Sequence, residues 1–430
     1  MTERVVITGI GWVTPLGHDI ESVWSKLLAG QSGIGPTSHF DATTFPTQFC
    51  GQVKDYDYRR FVSNQPLHEG VGLNTAFALG AAQQAWQSAQ LDGYAQLDHE
   101  RLGIYLGSGE GSLDFDNYAA ANLAGWNAQH NCVDGAPWAR VAAQRMSALK
   151  EVEQEPNMPL SHLAMEFTAQ GPAYNCLTAC AASTQAIGEA TQILRRDDAD
   201  VMISGGAHTM IHPLGVTGFN RLTALSTRNA SPAEASRPFS NDRDGFVIGE
   251  GSGMLILETL THAQKRQAPI LGEIVGYGSS ADAYRITDIH PEGRGPAAAM
   301  RQAFADAGLD PADIDYISAH GTGTKENDSI ETRGVKVVFG DAANKVAISS
   351  VKSMMGHLIA AAGAVELITC VLAMRDQQVP PTINLIHPDP ECDLDYVPNE
   401  ARELVAHHVV NNSFGFGGHN VALVFSRFDE

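Results

Sequence analysis

Residues 169–196 read AQGPAYNCLTACAASTQAIGEATQILRR, and the reading of this stretch decides the fold. An apolar run ends at Cys180, small residues crowd the thiol (Thr178, Ala179, Ala181, Ala182), and Ala186, Ile187, Ala190, Ile193 and Leu194 then recur at helical spacing. The pattern predicts strand, tight turn, helix. A thiol at a helix N-terminus faces unpaired backbone N–H groups and the positive end of the helix dipole, so its pKa is expected to fall. Cys180 is then either a nucleophile or a buried structural thiol, since free cysteine is among the most buried residue types. Cys176 lies on the strand side of the turn and reads as structural.

The same unit recurs on both sides. Upstream, RVVITGI (4–10) and RLGIYLGSGEGS (101–112) are short apolar runs ending in glycine, and 73–90 is an alanine-rich helix. The pair Gly9 and Gly11 invites a dinucleotide-binding reading. It lacks a third glycine, and Trp12 and Val13 stand where a helix should open, so a turn is expected instead. Downstream, ADVMISGG (199–206) is a buried strand, and a second round begins near Ile270 with ILGEIVGYGSS, a helix over 296–307 and the strand DIDYISAHGTGT. A helix over 358–375 and VVNNSFGFGGHNVALVF close the chain. Two rounds of strand, glycine turn and helix predict a duplicated α/β unit with helices on mostly parallel strands. Residues 113–170 fit neither round and predict added helices capping the core.

Composition bounds the function. The chain has 430 residues, 43% hydrophobic and 18% charged, with 28 Lys plus Arg against 49 Asp plus Glu and a net charge of −21. Such an acidic balance argues against nucleic acid as a partner. Six cysteines at 50, 132, 176, 180, 370 and 392 form no CxxC pair, so neither a metal nor a disulfide framework is indicated. No apolar run approaches the ~20 residues that span a bilayer. With no charged-then-apolar leader at the start, a reducing cytoplasm is the expected compartment.

Three later turns set polar groups among small residues. His320 follows an apolar strand in AHGTGT (319–324), at a strand end where active groups of α/β folds gather. SSVKSMMGH (349–357) places Lys352 ahead of His357 and an alanine-rich helix. Buried lysine needs a partner, and Glu331 in KENDSIETRG is the expected one. In FGFGGHN (414–420) the glycines allow backbone N–H groups to approach a reacting oxygen.

Together with SRPFSNDRDGFVIGEGSG (236–253) and DAYRITDIHPEGRG (282–295), these motifs resemble the β-ketoacyl-acyl-carrier-protein synthases of the thiolase-like superfamily, in particular the elongating KAS II-like branch. The resemblance runs from about Arg4 to Arg427. It implies an α/β, five-layered αβαβα fold of two similar halves, normally a homodimer. The N-terminal half, 1–260, would carry Cys180 and the extended cap at about 113–170; the C-terminal half, 261–430, would carry His320, His357 and Lys352. It further implies decarboxylative condensation of malonyl-carrier with an acyl group held on Cys180, elongating a fatty-acyl or polyketide chain.

In this reading His320 and His357 stabilise the enolate, and backbone N–H groups of Cys180 and Phe416 form the oxyanion hole. Phe416, with Phe414, resembles the family's gate. Lys352, paired with Glu331, orders the histidines. Thr287, Thr322 and Thr324 match positions whose hydroxyls meet the pantetheine arm, and Gly417 and Gly418 are expected among the substrate-binding residues. No metal or free-standing cofactor is implied, since substrates ride on the phosphopantetheine of the acyl carrier protein.

The chain departs from the family at Glu110, where GSGxG commonly has an apolar residue beside the acyl chain; a carboxylate there either points outward or marks an unusual acyl group. The basic docking helix is missing too, leaving Arg59, Arg60, Arg221 and Arg228 as substitutes for meeting the carrier. A Cys/His thioester hydrolase leaves His357, Lys352 and GFGGHN unexplained. A silent chain-length partner of a heterodimer would lack the cysteine.

Overall fold

Every residue of the first strand, β1 (Val5–Val13), is buried, which marks it as interior to a sheet. The computed structural model describes residues 3–429. In the first half β1 runs antiparallel to β5 (Gly251–Thr259), and β5 antiparallel to β4 (Val201–His208). β4 is parallel to β2 (Leu102–Ser108), which is parallel to the edge strand β3 (Ala173–Cys176).

The second half repeats this order and these directions. β6 (Gly272–Ala281) is antiparallel to β10 (His419–Ser426), β10 antiparallel to β9 (His408–Gly415), and β9 parallel to β7 (Tyr316–Ser318), which is parallel to β8 (Ala347–Ser349). Each half is therefore ordered third, second, fourth, fifth, first. A short β1–β6 pairing, Val6 opposite Glu273, joins them into one ten-stranded sheet. Even the register irregularity recurs, between Ile7 and Gly9 in β1 and between Ile274 and Gly276 in β6. The duplication read from the sequence is present. The strands are mixed rather than mostly parallel, because apolar patterning within a strand does not encode its direction.

Helices fill three layers. The outer helices α1 (Leu73–Ser88) and α3 (Arg294–Ala307) cover the strands of the first and second halves, while α2 (Ala182–Arg195) and α5 (Ala362–Asp376) lie between the two halves of the sheet and touch both. α4 (Lys325–Phe339) packs on α3. The middle layer explains why every residue of α5 from Ala362 to Met374 is buried.

Gly9 and Gly11 serve this packing. A Cβ at either would lie 2.1 Å from a backbone oxygen of α1, Ala85 or Ala81, and Gly276 and Gly278 meet Ala303 and Ala299 of α3 equally closely. The strand-glycine pairs thus let alanine-rich helices seat directly on the sheet.

The segment 113–170 folds as helices Phe115–Gly125, Gly135–Arg145, Ala148–Val152 and Met158–Phe167. It is tied to the turn after β2, where Ser108 Oγ donates to Pro156 O and Gly111 N donates to Gln154 O at 2.9 Å.

Candidate active site

The turn carrying Cys180 is a single 3-10 turn, Ala179–Ala181, between β3 and α2. Ala179 holds a left-handed φ of 48°, a strained conformation for a residue with a Cβ. A matching turn, Ile359–Ala361 with Ile359 also at φ 48°, precedes α5 in the second half. The two turns touch. β9 passes beneath the thiol, and Gly415 is required there because a Cβ would lie 2.8 Å from Thr178 O and 3.2 Å from Cys180 N.

His320 sits just beyond β7. Its N–H and that of Gly321 donate to the two oxygens of Glu331, each at 2.8 Å, so a carboxylate of α4 fixes the backbone that carries the ring. His357 is held by its main chain, with its N–H donating to Val247 O at 2.7 Å and its O accepting from Gly249 N at 2.8 Å. The sulfur of Cys180 and one nitrogen of each ring lie within 4.8 Å of one another, and all three residues are buried. The two imidazoles meet edge to face, 5.4 Å between centroids.

Hydrogen bonding sets their tautomers. Ile359 N–H donates to His357 Nδ1 at 3.2 Å, and Lys352 Nζ faces His320 Nδ1 at 3.4 Å while donating to His320 O at 2.6 Å. A neutral ring whose Nδ1 faces a donor carries its proton on Nε2. Both rings are neutral, because burial, then the nearby Lys352 charge, holds their pKa values well below the usual imidazole range. His357 Nε2 is buried without a hydrogen-bond partner among the described residues. The same cluster has the separation of a metal site. A metal-bound histidine, however, turns its other nitrogen to an acceptor, and here both face donors.

Lys352 pairs with Glu366, the one charged side chain within the buried part of α5, and not with Glu331 as the sequence led us to expect. The correction has a simple cause. Glu331 is already committed to two backbone N–H groups, and Glu366 reaches Lys352 from the middle layer. Burial pushes both carboxyls up, each to about 7. The isolated carboxylate in GAVELITCVLAM was the available signal for Glu366.

Cys180 also departs from expectation. Burial pushes its thiol up to about 11, against the opposing pull of Lys352 and of the backbone N–H groups of Phe416 and Cys180 itself. Desolvation of the charged form outweighs the end of the helix.

A cavity of about 630 Å³ opens onto the three side chains. It brings together Cys180, His320, His357, Phe414, Phe416, Thr287, Thr322, Thr324 and Glu110. Thr322 and Thr324 hydroxyls lie 2.9 Å apart. Lys352 and Glu331 stand behind the wall. Gly417 and Gly418, expected among the substrate-binding residues, are not among those that line it: with φ 89° and 77° they make the β9–β10 turn, their N–H groups donating to Ile286 O and Gly415 O. Glu110 is exposed and yet lines the cavity, its backbone O held by Asn74 Nδ2 at 2.7 Å. Of the proposed docking arginines, Arg59 pairs with Asp57 at 2.8 Å and Arg228 with Asp242 at 3.3 Å. Arg221 ends the helix Pro213–Arg221, beside the cavity-lining Phe219 and Leu222.

Comparison with known proteins agrees with this geometry. The family model "Beta-ketoacyl synthase, N-terminal domain" matches residues 2–263, and "Beta-ketoacyl synthase, C-terminal domain" matches 271–386. A 3-oxoacyl-[acyl-carrier-protein] synthase 2 of Coxiella burnetii is 42% identical over 426 residues, 99% of this chain and 98% of that one. Among solved structures, the ishigamide ketosynthase/chain length factor superposes with a TM-score of 0.89 at 33% identity, covering 100% of both chains. A β-ketoacyl synthase from Burkholderia phymatum gives 0.88 at 31%, over 99% of this chain and 100% of that one. A ketosynthase bound to a hexaketide and in complex with its type II PKS acyl-carrier protein gives 0.86 at 32%, covering 100% of both.

Proposed function

This chain belongs to the β-ketoacyl synthase family, acyltransferases that work with an acyl carrier protein, and from that premise we propose how its own residues carry out the condensation. The Cys180 sulfur attacks the carbonyl of an acyl-carrier thioester. The S–C bond forms as the bond to the carrier's sulfur breaks, and the thiol proton leaves on the departing pantetheine thiol. Malonyl-carrier then loses CO2, and the enolate oxygen lies against the Nε2–H groups of His320 and His357. Its carbon attacks the acyl carbonyl, with that oxygen against the N–H groups of Cys180 and Phe416. The Cys180 thiolate departs and takes a proton from water.

The observation that carries this reading is the pair of imidazoles. Two neutral rings with their Nδ1 atoms facing donors present two N–H groups beside one sulfur, which suits a developing enolate oxygen. A thioester hydrolase needs a base at that position instead. Lys352 acts as a positioning residue through His320. Phe416 would gate the cavity, and Thr287, Thr322 and Thr324 would hold the pantetheine arm. Arg221, next in sequence to the cavity-lining Leu222, would steer the carrier, and no free-standing cofactor enters the reaction.

A second copy would join edge to edge at β3, which is paired on one side only and exposes Tyr174. Six free cysteines support a reducing, cytoplasmic setting. No helix among the described residues is long and apolar enough to cross a membrane.

Incubation with a panel of acyl-carrier thioesters, followed by intact-protein mass spectrometry, tests the scheme. The acyl mass should appear on the wild type and be absent from Cys180→Ala. His357→Ala should lose malonyl decarboxylation while Cys180 still accepts an acyl group. Wild-type decarboxylation in that variant would remove His357 from the mechanism.

A further inference from the structure

Among the polar side chains of the cavity that opens onto Cys180 and that the proposed reaction does not use, His208 stands out. His208 is the last residue of β4, only 2% exposed, and lines the cavity together with Glu110, Met210 and His357. Neither of its ring nitrogens has a hydrogen-bond partner among the described residues. Leaving a buried polar group without a hydrogen bond is costly, so its retention points to a partner that is not part of the protein.

The ring also has a built seat. A Cβ on Gly109 would lie 2.3 Å from His208 Cε1 and 2.6 Å from Nδ1, so the glycine of the GSGEG turn is what leaves room for an imidazole at this point. Burial, with His212 adding to it, lowers the His208 pKa to about 4, so the ring is neutral near pH 7 and offers one N–H and one bare nitrogen. Leu177, Met210 and Phe219 give the same cavity apolar walls, and His208 is a buried polar side chain among them. The carboxylate-bearing Glu110 lies on the adjoining turn.

We propose that His208 is a specificity-determining residue that hydrogen-bonds an oxygen on the acyl chain, so that this enzyme takes acyl thioesters bearing a keto or hydroxyl group in preference to plain saturated chains. The inference rests on the proposed acylation of Cys180. A saturated chain would seal the orphaned nitrogens against methylene groups, whereas a chain oxygen satisfies one of them, and a site built to bond an oxygen discriminates against the analogue that lacks it.

The test compares octanoyl-carrier with hydroxyoctanoyl-carriers in which the hydroxyl is moved along the chain, reading the initial rate of Cys180 acylation by intact mass. The wild type should accept at least one hydroxylated chain about tenfold faster than octanoyl, the size of one hydrogen bond's preference. His208→Leu should abolish that ratio by slowing the hydroxylated chain and speeding the saturated one, and His208→Gln, which keeps a donor and an acceptor, should retain most of it. A wild type that favours octanoyl over every hydroxylated chain, or a preference that survives in His208→Leu, overturns the inference and leaves the reaction standing. Failure of every thioester to acylate Cys180 would instead overturn the reaction, and the inference with it. The wild-type series decides the matter even if the leucine variant does not fold.

Discussion

At Cys180 two influences oppose each other, and their balance sets how the thiol behaves. Burial pushes it up to about 11, while Lys352 and two backbone N–H groups pull the other way. The thiolate fraction should therefore keep rising with pH: alkylation by iodoacetamide is expected to increase about tenfold per pH unit from about pH 7 to about pH 10. A plateau at neutral pH, read from the adduct mass, would mean that the helix end dominates after all. The neighbouring ion pair gives a second expectation. Lys352 and Glu366 are both buried, so Glu366→Gln leaves an uncompensated ammonium and should cost about 3–5 kcal/mol in urea unfolding. Glu331→Gln, which still offers an oxygen to the His320 and Gly321 amides, should cost less; the reverse order would restore Glu331 as the partner of Lys352. Cys180, His320, His357 and Lys352 were legible because they stand in three turns set among small residues, Lys352 and His357 sharing one. Glu366 and His208 were harder to read: Glu366 stood out only as a lone carboxylate in an apolar helix, and nothing beside His208 in the sequence marks a partner.

Among the elements, the cap over 113–170 is held by a chain of buried polar side chains. Glu166 meets His68 Nε2 at 2.8 Å, His68 and His162 meet through their Nδ1 atoms at 2.9 Å, and His162 Nε2 meets Glu153 at 3.0 Å. Glu153 also accepts from Gly72 N at 3.1 Å, where α1 begins. The helix Met158–Phe167 is thereby bound to the segment that leads into α1, and through Gln154 and Pro156 to the turn that carries Glu110. His68→Leu strands His162 and Glu166 together, with an expected loss of about 3 kcal/mol. The melting temperature should fall, and trypsin should cut faster at Arg140, Arg145 and Lys150. Unchanged cleavage would show that apolar packing alone holds the cap. The helices of this segment were predictable from composition, whereas the histidine chain joins residues far apart in sequence and left no periodic trace.

Over the whole molecule, the two halves share strand order, strand direction and left-handed turns at Ala179 and Ile359. Where those turns meet, one half supplies the sulfur and the other both imidazoles, so neither half holds the site alone. Assembly should complete the molecule: Tyr174, 53% exposed on the open edge of β3, is expected at a dimer seam, and Tyr174→Asp should convert dimer to monomer in light scattering. A wild type that runs as a monomer would remove the seam. The sequence by itself determined the repeated strand–turn–helix units, the family and the side chains that the cavity brings together, because these rest on local spacing, on small residues at turns and on motifs contiguous in the chain. Only the tertiary structure decided strand direction, the Lys352–Glu366 pair and the raised thiol. Each of those depends on burial and on neighbours brought from distant parts of the chain, and desolvation acts only once the chain has closed around the group.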